Sequence, residues 1–412
     1  MKKTHGFLAE NRYDIGIKFI LFLLSPLLGF IYSLKRINTK SSFIIFFLFS
    51  LCFGMCFTPE KSPIYLDGTH YQELFENSIN ITTSTFIDNF IEYTSLDTYY
   101  RKDLYADVLS FCVSRISNNY HLFFFFASLI FSFFSLKTFK YLTKEKEFDN
   151  SYVCLLLCFL FVYITIFNIN GLRFWTGYWI AMLALFKIFR DRNYKYIILL
   201  IVAALCHGTL WFLLPLVLLA LFTYKCTSIW IVLYIASFFI GEASILFTQN
   251  IADYLPMFMQ DFVNSYTSAE AINRITADGT GFWFVDRLFG YIVDIFFFVT
   301  MMLIISNRKH VINDVRTKKI FALLMVLITF SNFTSSVPSL GSRFEAFSYP
   351  LIAYIWLLCI KNYKQKYSIF FMLIPAYFFM DIFYTLRFYV YTLNIDFYFS
   401  SPVYLSLKYL LL

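Results

Sequence analysis

Long stretches of apolar residues with almost no charge recur along this chain. Residues 19–34, 41–57 and 120–136 are three examples. A helix rises about 1.5 Å per residue and needs roughly 20 apolar residues to cross about 30 Å of hydrocarbon. Because lipid offers the backbone no hydrogen-bond partners, such stretches are expected to be helices. The pattern predicts an all-α polytopic membrane protein of about 12 transmembrane helices, forming one domain over residues 1–412.

The composition agrees with a membrane protein and excludes an ordinary soluble one. Of the 412 residues, 59% are hydrophobic and only 15% are charged, whereas soluble domains carry about 25% charged residues. Aromatic residues make up 22% of the chain. Phenylalanine is expected at lipid-facing and core positions and tyrosine at the membrane interfaces. Some tyrosines outside the membrane are also candidates for stacking on sugars.

The lysines and arginines lie mostly in short segments between apolar stretches. Cytoplasmic loops are rich in these residues, so the distribution predicts which loops face the cytoplasm. The net charge of +8 is therefore interpreted as a topology signal, not as a sign of nucleic-acid binding. The predicted cytoplasmic loops are residues 35–42, 137–150, 187–195, 223–228, 306–319 and 361–367.

Two longer segments, residues 58–119 and 248–282, are then predicted to lie outside the cytoplasm, the first of them partly helical. Two regions fit this topology less easily. The N-terminal tail carries Lys2, Lys3, Arg12 and Lys18 but falls on the outside, so either it is a surface helix or the first hairpin differs. Residues 196–222 are long for one span and short for two. Two short helices meeting near His207 keep loop 306–319 inside, and we adopt that hairpin.

Ionisable residues within apolar segments are costly and are candidates for function. Arg173, Arg287, Arg343 and Arg387 all lie near predicted outer ends of helices. Each one alone is also explained by snorkelling to lipid headgroups, or for Arg287 by a packing ion pair with Asp294. Four arginines at one face favour a shared role. The planar guanidinium binds two phosphate oxygens and keeps its charge, so a lipid pyrophosphate site is expected there.

Two further residues are candidates for proton transfer. His207 is the histidine inside an apolar segment, and an imidazole accepts a proton near neutral pH, although a buried structural histidine is as good an explanation. Asp67 lies at the entry to segment 58–119, where it could activate a hydroxyl, bind a metal or cap a helix. The sequence has no DxD pair, P-loop, GxGxxG, HExxH or GxSxG motif, and its eight cysteines include no CxxC pair. No metal or cofactor is expected.

Several motifs, taken in order, resemble those of the EpsG family of Wzy-like polysaccharide polymerases. The family shows an arginine before an Ile-Ala pair, a short basic loop and a histidine that closes the next helix. Its first outer loop carries an aspartate followed four residues later by a tyrosine, and an Arg-Phe pair opens a late helix. The matching positions are Asn170-Gly171-Leu172-Arg173, Ile180-Ala181, Ala203-Ala204-Leu205-Cys206-His207-Gly208, Asp67, Tyr71 and Arg343-Phe344.

The resemblance covers roughly residues 60–360, with departures. Phe174 stands where a glutamine often follows the arginine, and Tyr105-Ala106 replaces an acidic-Pro pair. The resemblance implies a metal-independent glycosyltransferase with the membrane C-type (GT-C-like) architecture. Such an enzyme polymerises undecaprenyl-pyrophosphate-linked oligosaccharide repeat units at the outer face of the bacterial cytoplasmic membrane. A regulator of chain length is a candidate partner.

The same resemblance suggests roles for the candidate residues. Arg173, Arg343 and Arg287 would bind the pyrophosphate leaving group, with Arg387 and Tyr71 also contacting substrate. Either His207 or an outer-loop carboxylate such as Asp67 would deprotonate the acceptor hydroxyl.

Alternative functions remain open at the level of sequence. A flippase or transporter of lipid-linked oligosaccharide also needs many helices and buried cations, but it usually shows internal repeats, and none is visible here. A ligase that moves a finished glycan from the same lipid donor shares the donor chemistry. An acyltransferase that modifies the polymer would need a different histidine setting.

Overall fold

The computed structural model describes residues 3–4, 7–62, 66–94, 103–144, 164–239, 283–335, 339–360 and 391–411, with isolated positions among 249–268 and at 337 and 389. Apart from two strands of two residues each, Lys3–Thr4 and Phe7–Leu8, these residues are predominantly helical. The predicted all-α fold is therefore confirmed for the described part of the chain. Most of segment 248–282 lies outside it.

The helices of the N-terminal half are α1 (Arg12–Leu24), α2 (Pro26–Ser33), α3 (Lys40–Met55), α4 (Asp67–Ile79), α5 (Thr83–Thr94), α6 (Leu104–Ser114), α7 (Tyr120–Lys144), α8 (Leu172–Leu185), α9 (Ile197–Cys206) and α10 (Leu213–Phe222). Those that follow are α11 (Thr227–Ser237), α12 (Trp283–Ser306), α13 (Arg308–Asn313), α14 (Lys318–Phe333), α15 (Leu340–Ala346), α16 (Ser348–Ile355), α17 (Asp396–Phe399) and α18 (Pro402–Ser406).

Within the described residues, two helical stretches are long and apolar enough to cross a membrane. They are Tyr120–Thr143, of 24 residues, and Ile166–Arg190, of 25 residues. The second combines a 3-10 turn (Ile164–Gly171), α8 and a π-helical turn (Phe186–Arg190). The other apolar helices are shorter, so the expected number of about 12 spans stays a prediction.

The first apolar stretch does not form one continuous helix. Ser25 adopts an extended conformation before Pro26, which ends α1 and begins α2. Proline cannot continue the hydrogen-bonding pattern of the preceding helix, and this breaks residues 19–34 into a short helical hairpin. The 13 residues of α1 and 8 residues of α2 reach only about 20 Å and 12 Å, less than the hydrocarbon thickness.

This hairpin corrects the predicted position of the N-terminal tail. The Lys18 ammonium is fully buried and donates hydrogen bonds to Thr39 Oγ1 (2.9 Å) and Ser41 Oγ (3.1 Å). It also forms ion pairs with Glu10 and Asp14. The tail therefore lies at the same end of the protein as loop 35–42, and its placement on the opposite face is wrong.

The described parts of three predicted cytoplasmic loops, 137–150, 187–195 and 306–319, meet at one end of the structure. Tyr141, at the end of α7, donates a hydrogen bond from its hydroxyl to Asp191 Oδ2 at 2.6 Å. Lys319, at the start of α14, donates to the Tyr194 hydroxyl at 3.1 Å. Arg190 Nε donates to the Tyr354 hydroxyl in α16 at 3.0 Å. The charge pattern thus correctly predicted that these three loops share a side, and we call this side the basic end.

The structure also confirms the hairpin over residues 196–222. Helix α9 ends at Cys206, His207 is extended, and a 3-10 turn leads into α10. Lys319 contacts the ring of Tyr194, before α9, and the ring of Tyr224, after α10. The start of α9 and the end of α10 therefore lie at the basic end, and His207 lies at the opposite end of this hairpin.

Helices α4, α5 and α6 belong to the segment predicted to lie outside, and their presence confirms that this segment is partly helical. The ends of α4 and α6 are joined by Arg115, whose Nη2 donates to the carbonyl oxygens of Ser78 (2.7 Å) and Ile79 (2.9 Å). Helix α5 packs on α6 through Phe86 and Phe111, whose rings stack at 3.9 Å. These contacts give the segment a defined structure beside the tip of the α9–α10 hairpin.

Candidate functional site

Arg173 lies one residue inside the start of α8, at the end of the protein opposite the basic end. The turn before it contains Asn170, whose side-chain oxygen accepts a hydrogen bond from the Gly68 backbone N–H at 2.7 Å. Gly68 is the second residue of α4, so this bond holds the start of α4 against the start of α8. Asp67 and Tyr71, one turn apart on α4, are thereby brought beside Arg173.

Two polar side chains among the described residues bond to the Arg173 guanidinium. Its Nη1 donates to Asp103 Oδ2 at 2.9 Å, and its Nε donates to the Tyr71 hydroxyl at 3.2 Å. The guanidinium also lies over the Tyr71 ring, 5.4 Å from its centroid. These bonds use two of five N–H donors. The Arg173 side chain is 18% exposed, so a ligand can still reach it.

Asp103 connects Arg173 to the tip of the α9–α10 hairpin. Its side chain is only 4% exposed, and its Oδ1 accepts a hydrogen bond from the Gly208 backbone N–H at 2.7 Å. One carboxylate oxygen thus pairs with Arg173 while the other holds the residue after His207. Since both oxygens are engaged, Asp103 is suited to positioning its neighbours and poorly suited to accepting a proton.

His207 is buried and caps the 3-10 turn that follows it. Its Nδ1 accepts a hydrogen bond from the Thr209 backbone N–H at 3.3 Å and lies 2.9 Å from Thr209 Oγ1. Because a backbone N–H can only donate, Nδ1 is the acceptor, and a neutral ring bonded in this way has its proton on Nε2. In this tautomer Nε2 is a hydrogen-bond donor, and the role of His207 in proton transfer stays a prediction.

Arg343 reaches the same region from α15. Gly341 packs closely on the end of α14, where an added Cβ would lie 2.9 Å from the Ser331 carbonyl oxygen. This close approach places the Arg343 guanidinium over the Phe174 ring at 5.2 Å. The His207 ring packs edge-on to Phe174 at 5.6 Å between centroids. Phe174, which replaces the glutamine common in the family pattern, therefore contacts both side chains.

Of the remaining candidates, the structure describes the side chain of Asp67 but not those of Arg287 and Arg387. Asp67 is exposed on the first turn of α4, close enough for its charge to act on Arg173 and Tyr71. The side chain of Arg287, on α12, and the whole of Arg387 lie outside the described residues. The structure thus brings together Asp67, Tyr71, Arg173, His207 and Arg343, while their proposed roles stay predictions.

Two residues of this site were not predicted to be functional from the sequence, Asp103 and Asn170. Asp103 precedes the apolar helix α6 and Asn170 precedes Arg173, so each was visible as a polar residue at a helix start. Their importance lies in contacts with residues about 100 positions away, which a single sequence does not reveal. In the part of the chain that the structure describes, no cluster of His, Cys, Asp or Glu could hold a metal ion.

Taken together, the fold and site are those of a helical membrane protein with a buried arginine–aspartate pair at the end opposite its basic loops. The family model that matches the chain is the EpsG family, over residues 63–399. The chain belongs to the EpsG family. The comparisons found no matching curated protein and no matching solved structure.

Proposed function

We propose that this protein polymerises undecaprenyl-pyrophosphate-linked oligosaccharide repeat units into a bacterial surface polysaccharide such as O-antigen, capsule or exopolysaccharide. The observation that carries the proposal is membership of the EpsG family, whose matching region includes every candidate residue. The Arg173–Asp103–Tyr71 arrangement supports it, because a cation held in place by neighbours is preorganised for a phosphate group.

In the proposed reaction, the C1–oxygen bond between the growing glycan and pyrophosphate breaks as a hydroxyl of the next repeat unit bonds to C1. The hydroxyl proton passes to a base, and undecaprenyl pyrophosphate leaves with the bonding electrons. Arg173 and Arg343, with Arg287 and Arg387, would stabilise the charge that grows on the leaving group. His207, as an Nε2 donor, would add a hydrogen bond to that charge. Asp67 is then the better candidate for the base.

The architecture that fits this chemistry is a multi-pass protein of the bacterial cytoplasmic membrane, with about 12 spans and a GT-C-like arrangement. Its acceptor and donor would both be lipid-linked glycans approaching from the outer leaflet. A chain-length regulator is a natural partner for such an enzyme. The basic end would then face the cytoplasm, as the excess of lysine and arginine there predicts.

The test is the glycan made by cells that lack the gene, resolved by length on a gel. We expect single repeat units, transferred or accumulated on lipid, without longer chains. Re-expression of the wild-type chain should restore the ladder, whereas an Arg173→Ala chain present at the same level should not. Repeat units trapped on the cytoplasmic side, with none outside, would instead indicate transport and overturn the proposal.

A further inference from the structure

We propose that a cleft between α4, α5 and α6 binds the non-reducing sugar of the acceptor repeat unit. The proposal rests on the polymerase function proposed above and assigns a second substrate site to it. Both polar and apolar side chains line the cleft. The polar ones include Asn77, Asn89 and Asp107, and the apolar ones include Phe86, Phe90 and Leu104.

The chemistry of this lining matches a carbohydrate. Sugar hydroxyls donate and accept hydrogen bonds, and two amides with one carboxylate supply both kinds of partner. The C–H face of a pyranose packs on aromatic rings, and Phe90 is 40% exposed at the cleft. Pockets that bind small molecules usually combine such an apolar lining with a few placed polar groups.

The cleft also lies beside the site around Arg173. Asp107 lies in the first turn of α6, and Asp103, the residue just before this helix, forms the ion pair with Arg173. Arg173 is close enough to Asp107 for its positive charge to lower the pKa of that carboxyl. An acceptor sugar held at Asp107 would therefore place its hydroxyls next to the proposed pyrophosphate position.

Asp107 itself is poised to interact with hydroxyl groups. Helix α6 has 11 residues and belongs to the segment predicted to lie outside the membrane. Burial raises the pKa of the Asp107 carboxyl to about 6, while Arg173 acts in the opposite direction. Near neutral pH the carboxylate is therefore the main form and accepts hydrogen bonds. The walls of the cleft are fixed by Arg115 and by the Phe86–Phe111 stack described above.

The first experiment measures sugar binding without catalysis. The full chain in nanodiscs would be mixed with soluble oligosaccharides obtained by partial acid hydrolysis of the cells' own surface polysaccharide, and binding followed by saturation-transfer NMR. We expect the wild-type chain to bind, and the variant Asn77→Ala with Asp107→Asn to bind at least tenfold more weakly. Asn80→Ala is the matched control, because Asn80 is exposed at the end of α4 but does not line the cleft.

Equal binding by the double variant, or no binding by the wild-type chain, would overturn the proposal. Retention of phospholipid by the wild-type chain, lost in the double variant, would assign the cleft to lipid and equally overturn it. A comparison of thermal melting confirms that the variant is folded.

Kinetics separate this proposal from the proposed function. In a polymerisation assay the double variant should raise the KM for the acceptor and leave the KM for the donor unchanged. If no polymerisation occurs with any variant or with the wild type, the polymerase function fails, while the binding result for the cleft still stands.

Discussion

The Arg173 Nη1 and the Asp103 Oδ2 atoms lie 2.9 Å apart, although the two residues are separated by 70 positions in the chain. Their side chains are 18% and 4% exposed, so the pair is largely withdrawn from solvent. Removing one partner of a buried pair leaves the other charge without compensation, which usually costs more than the pair itself contributes. A loss of activity on mutating either residue alone would therefore not identify its role.

Replacing both Arg173 and Asp103 by uncharged residues separates the structural contribution of Arg173 from its proposed role in catalysis. Arg173→Met alone should lower the free energy of unfolding by about 3 kcal/mol, because Asp103 stays charged and buried. Adding Asp103→Asn removes that charge and keeps an oxygen for the Gly208 N–H, so most of the stability should return. Polymer should remain absent, because no cation faces the pyrophosphate.

The measurements are thermal melting of the purified protein and glycan length in cells. Recovery of long polymer in the Arg173→Met, Asp103→Asn variant would mean that Arg173 serves only to neutralise Asp103, and the pyrophosphate role would be abandoned. Asp103→Asn alone is the control for the effect of the new amide at position 103. This variant should retain more activity than any variant that lacks Arg173.

The Tyr71 hydroxyl is predicted to orient Arg173. Tyr71→Phe removes the acceptor of the Arg173 Nε–H but keeps the ring beneath the guanidinium. The loss of one hydrogen bond is worth about 1 kcal/mol, so the rate of polymer synthesis should fall about fivefold. Incorporation of radiolabelled sugar, normalised to protein amount, measures this rate.

A matched control is Tyr120→Phe, which removes a hydrogen bond from the Tyr120 hydroxyl to the exposed Glu60 at the same end of the protein. This variant should incorporate sugar at the wild-type rate. Equal rates for the Tyr71 and Tyr120 variants would show that the Tyr71 hydroxyl does not orient the arginine for catalysis.

The proposed catalytic role of the His207 ring can be separated from its capping of the 3-10 turn, because asparagine also caps helices. His207→Asn keeps an oxygen that accepts from the Thr209 N–H, whereas His207→Ala does not. The alanine variant should be about 1 kcal/mol less stable than the asparagine variant. Both should lose polymer, because both lack the Nε2–H proposed to contact the leaving group. Normal polymer length with His207→Asn would restrict His207 to a structural role.

The amino-acid sequence predicts the helical fold and the shared side of the basic loops because both depend on local composition. It also identifies Arg173, His207 and Arg343 individually, since a charged or polar residue is conspicuous in an apolar stretch. It does not identify Asp103, whose partners Arg173 and Gly208 come from other helices. It leaves the placement of the N-terminal tail open, because the contacts that fix this tail join Lys18 to Thr39 and Ser41, more than 20 positions away.

Gly177 allows the close packing that positions His207. A Cβ added there would lie 2.8 Å from the Ala203 carbonyl oxygen and 2.5 Å from the Leu210 side chain. Ala203 is on α9 and Leu210 is in the 3-10 turn after His207, so both sides of the break would have to move. We expect Gly177→Ala to shift His207 and Gly208 away from Asp103 and to reduce polymer synthesis at least tenfold, although Gly177 itself carries no side chain to contact substrate.

The control is Gly16→Ala in α1, where an added Cβ meets nothing within 4 Å. That substitution should leave polymer unchanged, since alanine favours the helix by about 1 kcal/mol over glycine. The two variants would be compared by glycan length and by protein amount in the membrane. If Gly177→Ala accumulates normally and makes full-length polymer, the position of His207 tolerates displacement, and its contact with the leaving group would have to be given up.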